Sequence, residues 1–255
     1  MSSIIPPTPE EMQNNKVRFI SLVESIKREG CNKELLLKKL QSSDFFTAPA
    51  STKFHNDFEG GLCKHSLCVY DTLVTLIKSF GLEGAYSEDT LKIIALFHDI
   101  AKMNFYDPDV HNYKQYTNNG SKFDSIGNFE WREEKGYKVK PFESRFLYGT
   151  HEENSVFMIR TFFPLTVEEE IAVLHHHAGS DKMMTYNDRN EQSAITSRFP
   201  LVALLHMADY CATYVFESDA CQSLIDYIKS QKDKEDTDEQ NFEGTTDQVP
   251  PGTNS

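Results

Sequence analysis

The chain has 255 residues, 39% of them hydrophobic, which is enough for one large soluble domain with its own core. Its formal net charge of −13 argues against a long nucleic acid as partner, because such partners require clustered lysine and arginine. The five cysteines form no C-x-x-C pair, and the opening MSSIIPPTPEEMQNN lacks the basic and apolar regions of a secretory signal. We therefore expect a cytoplasmic protein with reduced thiols and no membrane segment.

Two helices are predicted near the start of the chain, over residues 10–29 and 33–41, because apolar residues recur there at helical spacing. We expect residues 1–41 to form an N-terminal unit whose helices pack on the core of the main domain.

The next predicted helix covers LCKHSLCVYDTLVTLIKSF, residues 62–80, and follows a loop that contains two adjacent glycines. His65 in this helix is in step with the apolar residues Leu62 and Val69. The spacing therefore places an imidazole on the face of the helix that should be buried.

The stretch LKIIALFHDIAKMNFY, residues 91–106, predicts an amphipathic helix, with Ser87 as its N-cap. His98 and Asp99 occur together in the middle of this apolar run. Burying an unpaired carboxylate costs several kcal/mol or forces its protonation, so the rest of the chain must supply a partner for Asp99.

Residues 103–149 form an irregular, aromatic insert in the helical pattern. Within it, FEWREEKGYKVKPF alternates around Lys135 and Gly136, which predicts a β-hairpin with its turn at that pair.

Helical patterns resume after the insert, and Thr166 with Glu169 forms a T-x-x-E capping box at the start of one of them. These later helices are predicted over residues 152–163, 167–177, 198–216 and 219–230. The tail, residues 231–255, carries seven acidic and two basic residues and is expected to be disordered. The sequence thus predicts an all-α helical bundle over residues 42–230 with a small β-hairpin insertion.

Ionisable side chains recur within these otherwise apolar helices, and each alone is compatible with an ordinary hydrogen-bonded core residue. They are His65, His98, Asp99, His151, the run His175, His176 and His177, and Asp209. Because several helices each bury such a group, they require a common partner. A divalent cation would neutralise the carboxylates and accept imidazole lone pairs, and mixed nitrogen and oxygen ligands suit manganese, iron, cobalt or zinc.

The order His65, then His98 with Asp99, then Asp209 resembles the signature of the HD-domain phosphohydrolases, over roughly residues 42–217. HDIAK is similar to the family's HD-apolar-(G/A)-K form, and LLHMADYCATYVFE is similar to its last motif. DFFTAPASTKFHNDFEGGLCKHS also resembles exoribonucleases of the YhaM type, although too few residues precede it here for their nucleic-acid-binding barrel. Trp131, Tyr137, GTHEENSV and LTVEEE resemble short bacterial and phage HD hydrolases.

This resemblance implies an HD-domain helical bundle that binds one or two divalent ions (manganese, iron, cobalt, nickel, magnesium or zinc). The implied ligands of the first ion are His65, His98, Asp99 and Asp209, and those of the second are His151, His176 and a bridging Asp99. Asp99 and Lys102 are the implied catalytic residues, with Lys102 also contacting phosphate. His55 and Lys64, which flank the first ligand, are candidate substrate contacts.

The expected activity is metal-dependent hydrolysis of a phosphoester or phosphoanhydride, as in a phosphodiesterase or a nucleotidase. Its expected partner is a small nucleotide or another small phosphoester. Two alternatives stay open at the level of sequence: a 3′-5′ exonuclease acting on short RNA or DNA, and a module that binds metal and nucleotide without turnover. The sequence alone leaves the choice among His175, His176 and His177 open, and it says nothing about the oligomeric state.

Overall fold

The computed structural model of the protein describes residues 6–52, 56–145, 149–177, 186–218 and 221–230. It is mostly helical, in agreement with the predicted helical bundle, but its β part is a three-stranded antiparallel sheet and not the predicted two-stranded hairpin. The helices are α1 (Pro9–Glu24), α2 (Lys33–Gln41), α3 (Gly61–Ser79), α4 (Glu88–Phe97), α5 (His151–Phe162), α6 (Val167–Leu174), α7 (Tyr186–Arg198), α8 (Pro200–Cys211) and α9 (residues 221–230). The strands are β1 (Tyr106–Tyr116), β2 (Lys122–Phe123) and β3 (Asn128–Val139).

Side-chain caps fix where several helices begin. The predicted capping box of Thr166 and Glu169 is present at the start of α6, and the Ser87 side chain accepts a hydrogen bond from the Thr90 amide at the start of α4. A second capping box, formed by Thr150 and Glu153, opens α5 directly before His151. The first residue of α5 is therefore held in a defined position.

The core is one cluster of buried apolar side chains to which α1 and α2 contribute together with the later helices. Phe19 of α1 is fully buried in this cluster, with its ring centroid 4.9 Å from that of Phe45 and 5.6 Å from that of Phe97. Phe97 in turn contacts Phe163, with 5.5 Å between the ring centroids. These tilted and edge-on aromatic contacts link the N-terminal helices to the end of α4, where His98 follows.

Helix α4 differs from its prediction in length and in exposure. It ends at Phe97, and a short 3₁₀ turn, Ile100–Lys102, follows before β1 starts at Tyr106. The residues from Leu91 to Phe97 are all buried, so the helix is enclosed on every side and is not amphipathic over this range. His98 and Asp99 consequently lie at the end of a buried helix, where the backbone leaves the α conformation at Asp99 (φ −110°, ψ 17°).

The predicted hairpin turn at Lys135 and Gly136 is wrong, because β3 runs straight through these residues. Strand β3 pairs antiparallel with β1 from Tyr106↔Val139 to Tyr116↔Phe129, and the chain reverses between these strands through the segment that contains β2. Gly136 is opposite Asp109 in the ladder. A Cβ at Gly136 would lie 2.2 Å from Cδ2 of the His111 ring, so the glycine allows this imidazole to lie flat across the strand.

The C-terminal part of the fold departs from simple α-helical periodicity. A five-residue π-helix, Ala212–Phe216, continues α8, and α7 occupies a stretch for which the sequence predicted no helix. Within the described part of the chain, no individual helix combines the length and the apolar character needed to cross a membrane. Only the pair Asn187–Arg198 and Pro200–Phe216 meets those two criteria jointly, and the pair is bent by 104°.

A buried ion pair connects the N-terminal unit to α4 and α6. Both guanidinium nitrogens of Arg28 lie 2.6 Å from the carboxylate oxygens of Glu169, and Arg28 also donates to Thr90 Oγ1 and to the Pro164 carbonyl. Burial raises the pKa of Glu169, but the hydrogen bonds from Arg28 and the Thr166 amide outweigh this and lower it overall. Each charge in this pair therefore depends on the other.

We expect Arg28→Ala to lower the free energy of unfolding by about 3–5 kcal/mol, because it leaves the Glu169 carboxylate buried without its counter-charge. The matched control is Arg18→Ala, which breaks an Arg–Asp71 pair whose side chains are 48% and 52% exposed and should cost about 1 kcal/mol or less. Urea unfolding measures both. Since the pKa of Glu169 is lowered in the folded protein, the contribution of the pair to stability is lost as the pH falls through that pKa. The difference in the free energy of unfolding between Arg28→Ala and the unmodified protein should therefore become smaller in acid. Equal effects of the two variants at pH 7 would contradict this account.

Candidate metal centre

Four side chains from two helices, α3 and α8, and from the turn after α4 meet in a first group of ligand atoms. His65 Nε2 lies 3.1 Å from Asp209 Oδ1 and 3.8 Å from Asp99 Oδ2. His98 Nε2 lies 3.4 Å from Asp99 Oδ2 and 3.9 Å from Asp209 Oδ1. All four side chains are at least nine-tenths buried. The structure thus brings together the four residues predicted to bind the first ion.

A second group forms on the other oxygen of the same carboxylate. His151 Nε2 lies 3.6 Å and His176 Nε2 lies 3.7 Å from Asp99 Oδ1. His177 joins them, with its ring centroid 4.3 Å from that of His176 and 4.8 Å from that of His151. Its Nε2 lies 3.7 Å from Asp209 Oδ2. Asp99 therefore faces one histidine group with each of its two oxygens.

Hydrogen bonds at Nδ1 orient these rings so that Nε2 faces the middle of the cluster. His98 Nδ1 lies 2.8 Å from the Ala95 carbonyl, and His176 Nδ1 lies 2.6 Å from the Val173 carbonyl. A backbone carbonyl only accepts, so in both rings Nδ1 carries the proton and Nε2 keeps its lone pair when the ring is neutral. Such outer hydrogen bonds are the usual way in which proteins fix metal-binding histidines.

Two glutamates play the same part for the remaining rings. Glu217 Oε2 lies 2.9 Å from His65 Nδ1. Glu152 contacts two rings at once, with Oε1 2.9 Å from His177 Nδ1 and Oε2 3.2 Å from His151 Nδ1. Both glutamates contact the imidazoles at Nδ1, on the side of each ring away from the cluster. They complete a set of five histidines whose Nε2 atoms converge.

Several inward atoms of the cluster have no hydrogen-bond partner among the described residues. These buried atoms are His98 Nε2, Asp99 Oδ1, His151 Nε2 and His176 Nε2. Leaving four polar atoms unpaired would cost several kcal/mol, and they lie on the sides of the rings and carboxylate that face one another. One or two cations would accept lone pairs from these atoms. The buried histidine and aspartate groups are therefore positioned to hold a metal ion.

Burial favours neutral imidazoles at His151 and His176, whereas at His177 the hydrogen bond to Glu152 outweighs burial and raises the pKa. Burial lowers the pKa of His151 to about 4 and that of His176 to about 3, despite the nearby Asp99 carboxylate. At neutral pH both rings are uncharged, which is the form that binds metal. In the first group, burial alone would lower the pKa of His65, but the Glu217 and Asp209 carboxylates raise it to about 10. A proton and a cation thus compete for the same His65 nitrogen.

Lys102 is buried next to Asp99, with Nζ 2.7 Å from Asp99 Oδ2. Burial raises the pKa of Asp99, but Lys102 and the neighbouring histidines lower it well below its usual range. The 3₁₀ turn brings the ammonium back towards the carboxylate, three residues earlier in the chain. Its predicted contact with phosphate stays a prediction.

The other sequence candidates lie in different surroundings. His175 contacts Gln192 of α7, with Nδ1 and Oε1 3.1 Å apart, so of the three adjacent histidines the cluster takes His176 and His177. Lys64 Nζ lies 5.2 Å from the centroid of the Phe58 ring, and its role as a substrate contact is untested. His55 lies outside the described residues. His206 has Nδ1 2.6 Å from the carbonyl of His176 and so holds the backbone beside that residue.

Sequence reasoning missed the roles of Glu152, Glu217 and, in part, His177. Glu152 directly follows His151 and reads as an ordinary acidic residue in the first turn of a helix. Glu217 is eight residues after Asp209, which on a regular α-helix would place it about 12 Å further along the axis and about 80° around it, so the spacing does not indicate a shared contact. The π-helix between them widens the turn, so Asp209 and Glu217 contact the two nitrogens of one ring, His65. The sequence does contain one indication that Glu217 is buried, because this acidic residue directly follows apolar residues in the run YVFE.

Comparisons of the chain with protein-family models, with curated proteins and with solved structures found no match.

We expect Glu152→Ala to weaken binding of a divalent metal by the second group about 10- to 100-fold, because it frees the rings of His151 and His177 from their common acceptor. Calorimetric titration of the metal-free protein with manganese or zinc measures this. Glu134→Ala, which removes the same charge from an exposed position on β3, is the control and should bind metal as the unmodified protein does. Equal affinities for the two variants would exclude a role for Glu152 in the site.

Proposed function

We propose that the protein is an HD-type, metal-dependent phosphohydrolase that acts on a nucleotide or a nucleotide-derived small molecule. The observation that carries this proposal is the carboxylate of Asp99, which is buried and has a histidine group at each of its oxygens. Such an arrangement is suited to bridging two cations. The resemblance of HDIAK and LLHMADYCATYVFE to the HD family supports the same assignment.

The proposed ligand sets follow from the two groups of nitrogens and oxygens. The first ion would be held by His65, His98, Asp99 and Asp209, and the second by Asp99 with His151, His176 and His177. Such ions, when bound, act as Lewis acids. They lower the pKa of a water molecule to about 7 and neutralise the negative charge of phosphoryl oxygens.

The protein's own side chains would prepare the site for this chemistry. Lys102 keeps Asp99 ionised and oriented through its 2.7 Å contact, and its ammonium adds a fixed positive charge for a phosphoryl group. Glu217 and Glu152 hold the rings of His65, His151 and His177 in place. His151 and His177 are 21% and 27% exposed, whereas His98 and His176 are fully buried, so substrate would reach the cluster from the side of His151 and His177.

An aromatic row on α8 and the π-helix that continues it supports a nucleotide over a simple phosphoester. His206, which contacts the backbone of His176, is followed on the same face by Tyr210 and Tyr214. The ring centroids are 6.0 Å and 4.6 Å apart along this row, and both tyrosines are more than half exposed. Exposed aromatic rings that begin at the metal centre offer a surface on which a base can stack.

Replacing Asp99 by asparagine should abolish hydrolysis, because it removes the charge shared by both groups. The assay incubates the full-length protein and manganese with a panel of nucleotides, cyclic nucleotides, bis-p-nitrophenyl phosphate and a labelled oligoribonucleotide. Chelation should stop the reaction and added manganese should restore it. If mononucleotides are released and the oligoribonucleotide is the only substrate, the protein is an exonuclease and the proposal is wrong. If nucleotides bind but no product forms, the protein is a binding module. Full activity of Asp99→Asn would refute the proposed role of Asp99.

His151→Ala tests whether two ions bind. We expect the number of bound divalent ions per chain to fall from about two to about one, since the first group keeps all its ligands while the second loses one. Elemental analysis after gel filtration in excess manganese provides the count. His175→Ala is the matched control, because His175 contacts Gln192 outside the cluster. A count of about one in both the unmodified protein and His151→Ala would mean that the site holds a single ion, and a count of about two in both would exclude His151 as a required ligand.

A further inference from the structure

A cavity of about 280 Å³ lies beside the turn that carries Asp99 and Lys102. Ala101 and Met103 of that turn form one wall, and Asn154 and Met158 of α5 form another. None of the candidate metal ligands lines it. The cavity is thus adjacent to the metal centre through the backbone but chemically separate from it.

Three positive side chains converge on this cavity from different parts of the chain. Lys39 comes from the last turn of α2, Lys140 follows β3, and Arg145 follows a short 3₁₀ turn. Among the described residues that line the cavity, none is acidic. In a chain with 39 acidic and 26 basic residues, this grouping runs against the overall charge.

A larger cavity on the sheet side shows the opposite charge. Its volume is about 880 Å³, and Asp57, Glu59, Asp109 and Glu134 line it together with Lys135. Carboxylates therefore predominate there, and an anion would be repelled. The two cavities make a natural pair for comparison, because each contains a lysine that can be changed without touching the other.

Contacts of Arg145 and Lys140 position these two side chains at the smaller cavity. Arg145 Nε donates to the Lys140 carbonyl at 3.0 Å, and its guanidinium carbon lies 5.0 Å from the centroid of the Phe105 ring. Lys140 Nζ lies 3.9 Å from Asp107 Oδ1, which is longer than a hydrogen bond. Lys140 can therefore still pair with an incoming anion.

Neutral groups of the cavity add hydrogen-bond donors and an apolar wall. Asn104 Oδ1 accepts from the Asp44 amide at 3.3 Å, which leaves the NH₂ end of Asn104 as a donor. Ser144 and Asn154 also line the cavity, and Met103, Phe105 and Met158 supply apolar surface. The carboxylate of Asp44 nearby accepts the Asn104 amide and is thereby engaged.

We propose that this cavity is a binding site for a small phosphorylated anion. Three cations with hydroxyl and amide donors, and no carboxylate among the described residues of the lining, match the charge and the acceptor oxygens of a phosphate group. The apolar wall suits an organic portion attached to the phosphate. The proposal does not depend on the hydrolase activity, because the cavity shares no side chain with the metal centre.

Binding of inorganic phosphate and of adenosine monophosphate to the full-length protein, in the presence of EDTA and at constant ionic strength, tests the proposal. We expect saturable binding of phosphate by calorimetry. Lys140→Gln and Lys39→Gln should each weaken it about tenfold, as expected for the loss of one charge-assisted hydrogen bond. If adenosine monophosphate binds more tightly than phosphate, and Lys140→Gln weakens both by the same factor, the ligand is an organic phosphate. If the two bind with the same affinity, the ligand is free phosphate.

Two controls separate this cavity from bulk charge and from the metal centre. Lys135→Gln makes the same charge change in the acidic cavity, and His151→Ala alters the metal centre; both should bind phosphate as the unmodified protein does. No saturable phosphate binding, an equal loss in Lys135→Gln, or a loss in His151→Ala would each overturn the proposal. Circular dichroism and thermal unfolding of the lysine variants confirm that they are folded.

Discussion

The buried carboxylate of Asp99 is the group on which the arrangement of this protein depends. It lies at the end of α4 with 1% of its surface exposed, and its oxygens face histidines on both sides together with the ammonium of Lys102. A negative charge in such a place is stable only where positive charge surrounds it. Lys102 supplies one positive charge. The converging imidazole nitrogens are arranged to hold a cation together with the Asp99 carboxylate.

Irregularities of the helices deliver the side chains to this point. The end of α4 at Phe97 allows His98 and Asp99 to face the same centre, which adjacent residues on a continuous helix cannot easily do. The turn after α6 brings both His176 and His177 to the cluster, and the π-helix after α8 brings Glu217 to the ring of His65. Departures from regular geometry at functional positions are common, because they re-aim side chains that periodicity would separate.

The protein contains two kinds of buried charge. The pair of Arg28 and Glu169 is complete in itself, with short hydrogen bonds between opposite charges, and it ties the N-terminal segment to the helices that surround the site. The cluster around Asp99 has inward atoms that no described side chain satisfies. The first arrangement suits a structural role, and the second suits a site that binds something else. The basic cavity next to Ala101 places a third charged feature against the same turn.

Prediction from the sequence reached the helices with clear apolar periodicity and the capping boxes, such as that of Thr166 and Glu169, because both depend on residues close together in the chain. It failed at the proposed hairpin turn, since Gly136 marks the place where His111 crosses the strand and not a reversal of the chain. It also overestimated the length of α4, because the run of apolar residues continues past the point where the backbone leaves the helix.

The sequence by itself determined that histidines and aspartates occur within apolar helices, and burial of such groups requires a shared partner. Which atoms meet was decided only by the tertiary structure. The selection of His176 and His177 over His175, the placement of Glu152 between two rings, and the division of the ligands between the two oxygens of Asp99 all depend on contacts between residues far apart in the chain. Local spacing fixes the face of a helix on which a residue lies, whereas the packing of helices against one another fixes what that face meets.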